Sequence, residues 1–148
     1  MSVFVYLDRP EDLAPKVSFV SCFIQANNTI LMLHRNDDKF YGGTWTTPGG
    51  KIDEEERAID SLIRKVKEET GIILPKEQIV FVKKVYARNQ EFGFDCIHHI
   101  FKVVLPEIPQ EILLNKNEHQ DATWITPEQA LKLNLIPGQK ECLELVYQ

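Results

Sequence analysis

The sequence predicts a mixed α/β domain, a central sheet covered by helices. Three observations predict it. Short apolar stretches rich in Val, Ile and Phe, such as 17–24 and 92–105, have the composition of strands. The stretch 56–71 instead repeats its apolar residues at helical spacing. Strand-like stretches lie on both sides of that helix in the chain, with no internal repeat and no linker.

The elements follow in order. Residues 17–24 (VSFVSCFI) read as a buried strand, Asn27-Asn28 as a turn, and ILMLH from Ile30 to near His34 as the second arm of a hairpin. Residues 36–50 carry Asp37, Asp38, Gly42, Gly43, Pro48, Gly49 and Gly50, which predicts loop. Ala58, Ile59, Leu62, Ile63 and Val66 then recur at helical spacing until Gly71 stops the run. Residues 79–87 and 92–105 read as strands, and 122–126 as a short one. Thr126-Pro127-Glu128 has the form of an N-cap with proline at the first helical position, and 138–147 reads as a closing helix.

Length and composition set bounds. A chain of 148 residues with 43% hydrophobic residues has material for one core, so 1–148 is expected to be one domain. Seventeen Lys and Arg against 22 Asp and Glu weigh against a nucleic-acid coat or a polybasic membrane binder, which need cation facing phosphate. Small phosphorylated ligands stay open, because divalent metal lets an acidic protein hold them. Three cysteines, Cys22, Cys96 and Cys142, are odd in number and form no CxxC pair, which predicts reduced thiols. The apolar patch at 3–7 is too short for a signal sequence, and no run approaches the roughly 20 residues of a spanning helix. A cytoplasmic protein is the expectation.

The chemistry concentrates on the 56–71 helix. On a wheel of about 100° per residue its apolar residues gather on one side, and position 65, Glu68 and Glu69 on an adjacent one. Carboxylates at a helix C-terminus oppose the helix dipole, and a hard divalent cation would offset that cost. A solvated acidic face is the plainer reading of two glutamates alone. The spacing around them is more specific. From Gly50 the chain runs through Glu56, Arg64, Val66, Glu68, Glu69, Gly71 and Ile72, which closely resembles the box of the Nudix (MutT-like) hydrolases, G-x5-E-x7-R-E-U-x-E-E-x-G-U, at eight of nine defined positions. Gly43 to Gly50 is similar to that family's G-x-W-x-x-P-G-G lead-in, and Glu118-His119 before Trp124 to its E-H-x4-W element.

The resemblance implies a Nudix-type α/β/α sandwich with a mixed central sheet. It also implies metal-dependent hydrolysis of a nucleoside diphosphate linked to another moiety, a nucleotide or nucleotide-sugar. Mg²⁺ or Mn²⁺ is the implied cofactor, with Gly49, Glu68, Glu69 and Glu118 as ligands. Arg64 would orient the carboxylates and Glu56 support the loop–helix junction. The small nucleotide would be the partner; neither membrane nor nucleic acid is expected, and a homodimer is left open.

One box position differs. Lys65 stands where the family usually has a glutamate, reversing a charge on the expected carboxylate face, within reach of either Glu68 or Glu69. Two readings follow. Either catalysis persists with Glu118 or His119 as base, the histidine standing where members resembling GDP-mannose mannosyl hydrolases carry theirs. Or the chain is a Nudix-fold nucleotide-binding or regulatory module with weak or no catalysis. A housekeeping Nudix enzyme acting on RNA 5′ ends is a weaker third, against which the acidic balance counts. Arg35 and Trp45 are the candidate substrate contacts, with Phe40 and Tyr41 as further aromatic neighbours. His98 and His99 alternate faces of one strand, and 88–95 (RNQEFGFD) is a candidate substrate loop.

Overall fold

The computed structural model describes residues 3–147. The apolar run at 17–24 lies within β2 (Pro15–Ala26), which pairs in parallel with β7 (Phe94–Leu105) from Pro15–Asp95 to Ala26–Leu105. Beyond β7 come β6 (Val80–Asn89) and then β1 (Val3–Tyr6), each antiparallel to its neighbour. The patch at 3–7 therefore supplies an edge strand. On the other side of β2, β3 (Thr29–Arg35) pairs with it only at Gln25–Ile30 and Ala26–Thr29, around a turn in which Asn27 has φ 57°. Then β3 leaves β2 and pairs with β8 (His119–Ile125) and β4 (Trp45–Thr46). The edge of β2 that β3 vacates is taken by β5 (Gly49–Lys51), at Phe19–Lys51 through Ser21–Gly49.

Two expectations need correction here. Residues 36–50 are not all loop, because β4 and β5 lie in or run out of them; their pairing is made by backbone, and Gly and Pro residues mask it in composition. The late strand begins at His119 rather than at 122, so that histidine sits on the sheet.

The side-chain alternation of strands divides the core. Val20, Cys22, Ile24, Leu31 and Leu33 point to one face, against Leu62 and Val66 of α1 (Ala58–Thr70). Phe23, Ile30 and Met32 point to the other, against Ala130 of α2 (Pro127–Ala130) and Cys142 and Leu143 of α3 (Gln139–Tyr147). Helices on both faces of a mixed sheet make the α/β/α sandwich that the sequence predicts. Thr126 caps α2 as expected, its hydroxyl accepting from Gln129 N–H in a reciprocal capping box. Gly71 ends α1 in the left-handed conformation, φ 79°. No described helix is long and apolar enough to cross a membrane.

Candidate active site

The site opens where β3 and β2 part. Gly49 sits in that gap with φ 154°, and a Cβ there would run into the Val20 carbonyl, so only glycine lets β5 lie this close. The Gly49 N–H donates to Glu69 Oε1 at 2.9 Å, which fixes the carboxylate in the last turn of α1 against β5. The terminal carbonyls of that helix have partners of their own. Leu113 N–H donates to Thr70 O (2.8 Å) and Asn115 N–H to Glu69 O (3.1 Å). Asn115 O in turn accepts from the N–H groups of Glu118 and His119, both at 3.0 Å. The end of α1 thus organises the segment that brings Glu118 and His119 beside Glu69.

Glu69 has its carboxyl pushed up to about 8, by burial first and further by the charge of Glu118; the Gly49 N–H, Lys65 and Arg35 pull the other way. His119, 2% exposed and opposite Arg35 across the β3–β8 pair, is pushed down to about 4 by burial and then by Arg35. Its ring is neutral at pH 7, and its buried Nδ1 has no hydrogen-bond partner among the described residues. His98, also held near 4 by burial, lies 3.0 Å from Ser21 Oγ through Nε2. His99 turns to the other side of the strand and meets the Phe19 carbonyl at 3.3 Å.

Glu68 goes elsewhere. Arg64 grips Glu56 with two bonds, Nε–Oε2 at 3.0 Å and Nη2–Oε1 at 2.9 Å, and also donates to Asp53 (2.6 Å) and Glu68 (3.1 Å). This fork pins the acidic loop ahead of α1 to the helix and holds Glu56 below the usual carboxylate range. It also holds the Glu68 carboxylate, whereas Glu69 bonds to the Gly49 N–H. The single carboxylate face expected for 65, 68 and 69 is therefore divided, and Lys65 pairs with neither glutamate among the described ion pairs.

A cleft of about 260 Å³ runs from Glu69 into the sheet. Gly49, Glu69, Arg35 and His119 line one end. The other end is uncharged: Val85, Ala87, Cys96, Ile136 and Cys142 form its wall, and Gln139 stands among them. Gln139 Oε1 accepts from Thr46 Oγ1, Thr47 N–H and Thr47 Oγ1 at 3.1–3.3 Å, leaving the amide Nε2 as a donor. Phe40, Tyr41 and Phe92 pack edge to face at the rim, with centroids 4.5–5.6 Å apart.

Of the predicted site residues, Gly49, Glu69, Arg35 and His119 meet at the cleft. Glu118 is exposed beside it, and Glu68 and Arg64 stand outside in the fork. Trp45 does not line the cleft. Its indole stacks on His34 at 4.4 Å, and its backbone N–H and C=O hold Asn134 and Ile136, so it supports the wall. Arg88 is likewise structural, paired to Asp95 and Asp12, and within 88–95 only Asn89 and Phe94 reach the cleft. The sequence reading missed Gln139, Thr46, Thr47 and Ser21: the two threonines fill undefined positions of the G-x-W-x-x-P-G-G stretch, Ser21 and Gln139 stand in no motif, and the helix start at 138–139 is the one further local signal that touched this group.

A hard cation fits the donors beside Glu69. They are oxygens, and a divalent charge would offset the negative charge of Glu118 that helps push the Glu69 carboxyl up. Mg²⁺ commonly takes one or two protein carboxylates and fills the rest of its shell with water and substrate phosphate. No larger cluster forms: among the described residues no group of three His, Cys, Asp or Glu side chains converges on one point.

Comparison with known proteins agrees with this geometry. The family model described as NUDIX domain matches residues 15–146. The CTP pyrophosphohydrolase of Escherichia coli (strain K12) is 29% identical over 129 residues, 86% of this chain and 89% of that protein. The nucleoside triphosphatase NudI of Escherichia fergusonii is 28% identical over 136 residues, covering 86% and 94%. Some other relatives are longer, and the chain spans less than half of their length. Among solved structures, the MutT NUDIX hydrolase from Burkholderia pseudomallei superposes with a TM-score of 0.76 at 21% identity, over 88% of this chain and 97% of that one. With its box helix, its Gly-Gly strand and its sandwich in place, the chain belongs to the Nudix family, the hydrolases of pyrophosphate linkages.

Proposed function

We propose that the chain hydrolyses the diphosphate linkage of a nucleotide or nucleotide-sugar, with Mg²⁺ or Mn²⁺ bound by Glu69, Glu118 and the Gly49 carbonyl. The observation that carries this is Glu69, a cleft carboxylate fixed by Gly49 N–H at the charged end of a cleft whose other end is uncharged. The diphosphate lies at the charged end and the uncharged ring of the nucleotide in the other, where Gln139 and Asn89 offer hydrogen bonds. Arg35 takes phosphate oxygen. When bound, the metal supplies charge neutralisation for the diphosphate and an activated water. Glu118 receives the proton of the attacking water. His119, held near 4, stays a neutral imidazole at pH 7 and accepts a hydrogen bond at its unprotonated ring nitrogen. Arg64 acts indirectly, by holding the loop and helix that present Gly49 and Glu69. Glu68 joins the metal only by leaving Arg64. Three free cysteines fit a cytoplasmic setting.

A panel of nucleoside triphosphates, nucleoside diphosphates and nucleotide-sugars, with Mg²⁺, Mn²⁺ or chelator, tests the reading. Metal-dependent release of a nucleoside monophosphate, pyrophosphate or phosphate supports it. Lys65 favours a second reading, a nucleotide-binding module, and tight binding without turnover across the panel would select that one.

A further inference from the structure

We propose that Lys65 is a phosphate-binding residue, its ammonium contacting the substrate's diphosphate directly at the mouth of the cleft beside Gly50. This rests on the pyrophosphohydrolase reading and adds a contact to it. Residues four apart on a helix lie over one another. Arg64 therefore stacks with Glu68 on the fork side of α1, and Lys65 with Glu69 on the side facing β5. The Lys65 stem lies across Gly50, with Cδ 2.7 Å and Nζ 3.8 Å from the point where a Gly50 Cβ would stand. Gly50 itself lines the cleft. A bare glycine is what lets the stem reach along the strand to the opening.

Among the described residues the ammonium has no carboxylate partner within 4.0 Å. Arg57, Arg64, Lys76 and Arg88 each form ion pairs, whereas no described pair within 4.0 Å includes Lys65. Its half-buried position gives up some hydration without a fixed counter-charge in exchange. Arg35 lines the same end of the cleft, its Nε bonded to the Phe40 carbonyl at 2.7 Å and its two Nη groups free of any described ion pair. The charges of both cations are felt at Glu69. Two cations set beside Glu69 and Glu118 give the site contacts for a substrate oxyanion in addition to those for a metal. A glutamate at position 65 would need a metal to reach phosphate; a lysine reaches it unaided.

Inorganic pyrophosphate, titrated calorimetrically in EDTA at low salt, provides the test. The parent should bind it, and Lys65→Gln should weaken binding at least tenfold while melting as the parent does. Lys65→Arg should recover most of the affinity, and Arg57→Gln, which breaks an exposed ion pair elsewhere on α1, should bind as the parent. Equal affinity of Lys65→Gln and the parent, or no binding by the parent in EDTA, overturns the proposal. Hydrolysis of the nucleotide panel is scored separately. Turnover with Lys65-independent pyrophosphate binding leaves the enzymatic reading standing and removes this one; Lys65-dependent binding without turnover does the reverse.

Discussion

Replacing His98 by glutamine should flatten the acid sensitivity of the fold. The imidazole is half-buried where β7 lines the cleft, next to Phe19 with ring centroids 6.2 Å apart, and its Nε2 meets Ser21 Oγ at 3.0 Å. Burial, with a smaller push from His99, holds it down to about 4 from an ordinary value of 6.5. Below 6.5 the unfolded chain takes up a proton that the folded chain refuses, so stability falls as pH falls, down to about 4 where the folded state titrates as well. At pH 5 the gap is about 1.5 pH units, which at 1.36 kcal/mol per unit is about 2 kcal/mol lost relative to neutrality. Glutamine keeps a polar side chain near Ser21 but cannot titrate. Its cost at pH 7 is a constant offset, and the informative quantity is how the parent–variant difference changes with pH. Urea denaturation at pH 7 and pH 5, both in chelator, should show the variant gaining about 2 kcal/mol on the parent between the two. Parallel pH profiles for the two proteins would mean that His98 is hydrated in the folded state, and would refute the reasoning.

Glu69→Gln should lower turnover by orders of magnitude while leaving the far-ultraviolet spectrum unchanged; normal rates would remove Glu69 from the metal. Arg64→Gln should release Asp53, Glu56 and Glu68 together, costing about 1 kcal/mol in urea because the fork is partly exposed, and should reduce kcat through displacement of Gly49 and Glu69. Unchanged stability and rate would show that the fork does not position the site. Lys65→Glu should bind Mg²⁺ more tightly and melt lower in chelator, where the new carboxylate then crowds Glu69 one turn on. Equal Mg²⁺ affinity in titration would mean that position 65 does not face the metal.

The site was legible in the sequence where helical spacing fixes it. Gly49, Glu69, Glu118 and His119 stand close to one another, as the motif spacing implies, because α1 and the segment clamped to its end have little freedom. Glu68 shows how a coarse wheel misleads. The wheel groups it with Glu69, yet its neighbour one turn back is Arg64, while that of Glu69 is Lys65; the i, i+4 pairing already separates the two carboxylates. The parting of β3 from β2 and the insertion of β5 left no trace in side-chain pattern, since backbone bonds through Gly49 and Gly50 make it. Gln139 was hidden for another reason. Its partners Thr46 and Thr47 are distant in sequence, and only the tertiary fold brings an amide and two hydroxyls together.

The pairing of β2 also shapes how this protein comes to exist. The strand with the longest buried run, β2, has just two registered positions with its sequential neighbour β3, and its long partner β7 lies some eighty residues further along, as in Val20–His99. Closing so wide a loop costs conformational entropy before any contact rewards it, so the central pair forms late and slowly compared with a local hairpin. On a ribosome, Val20 to Ile24 must wait until β7 has emerged. During that interval a strand with an open edge and an apolar face is available to other chains. The parallel pair that carries the mature site is therefore the step at which a nascent chain is most exposed to chaperones, and the step most easily lost to aggregation when synthesis is fast or warm.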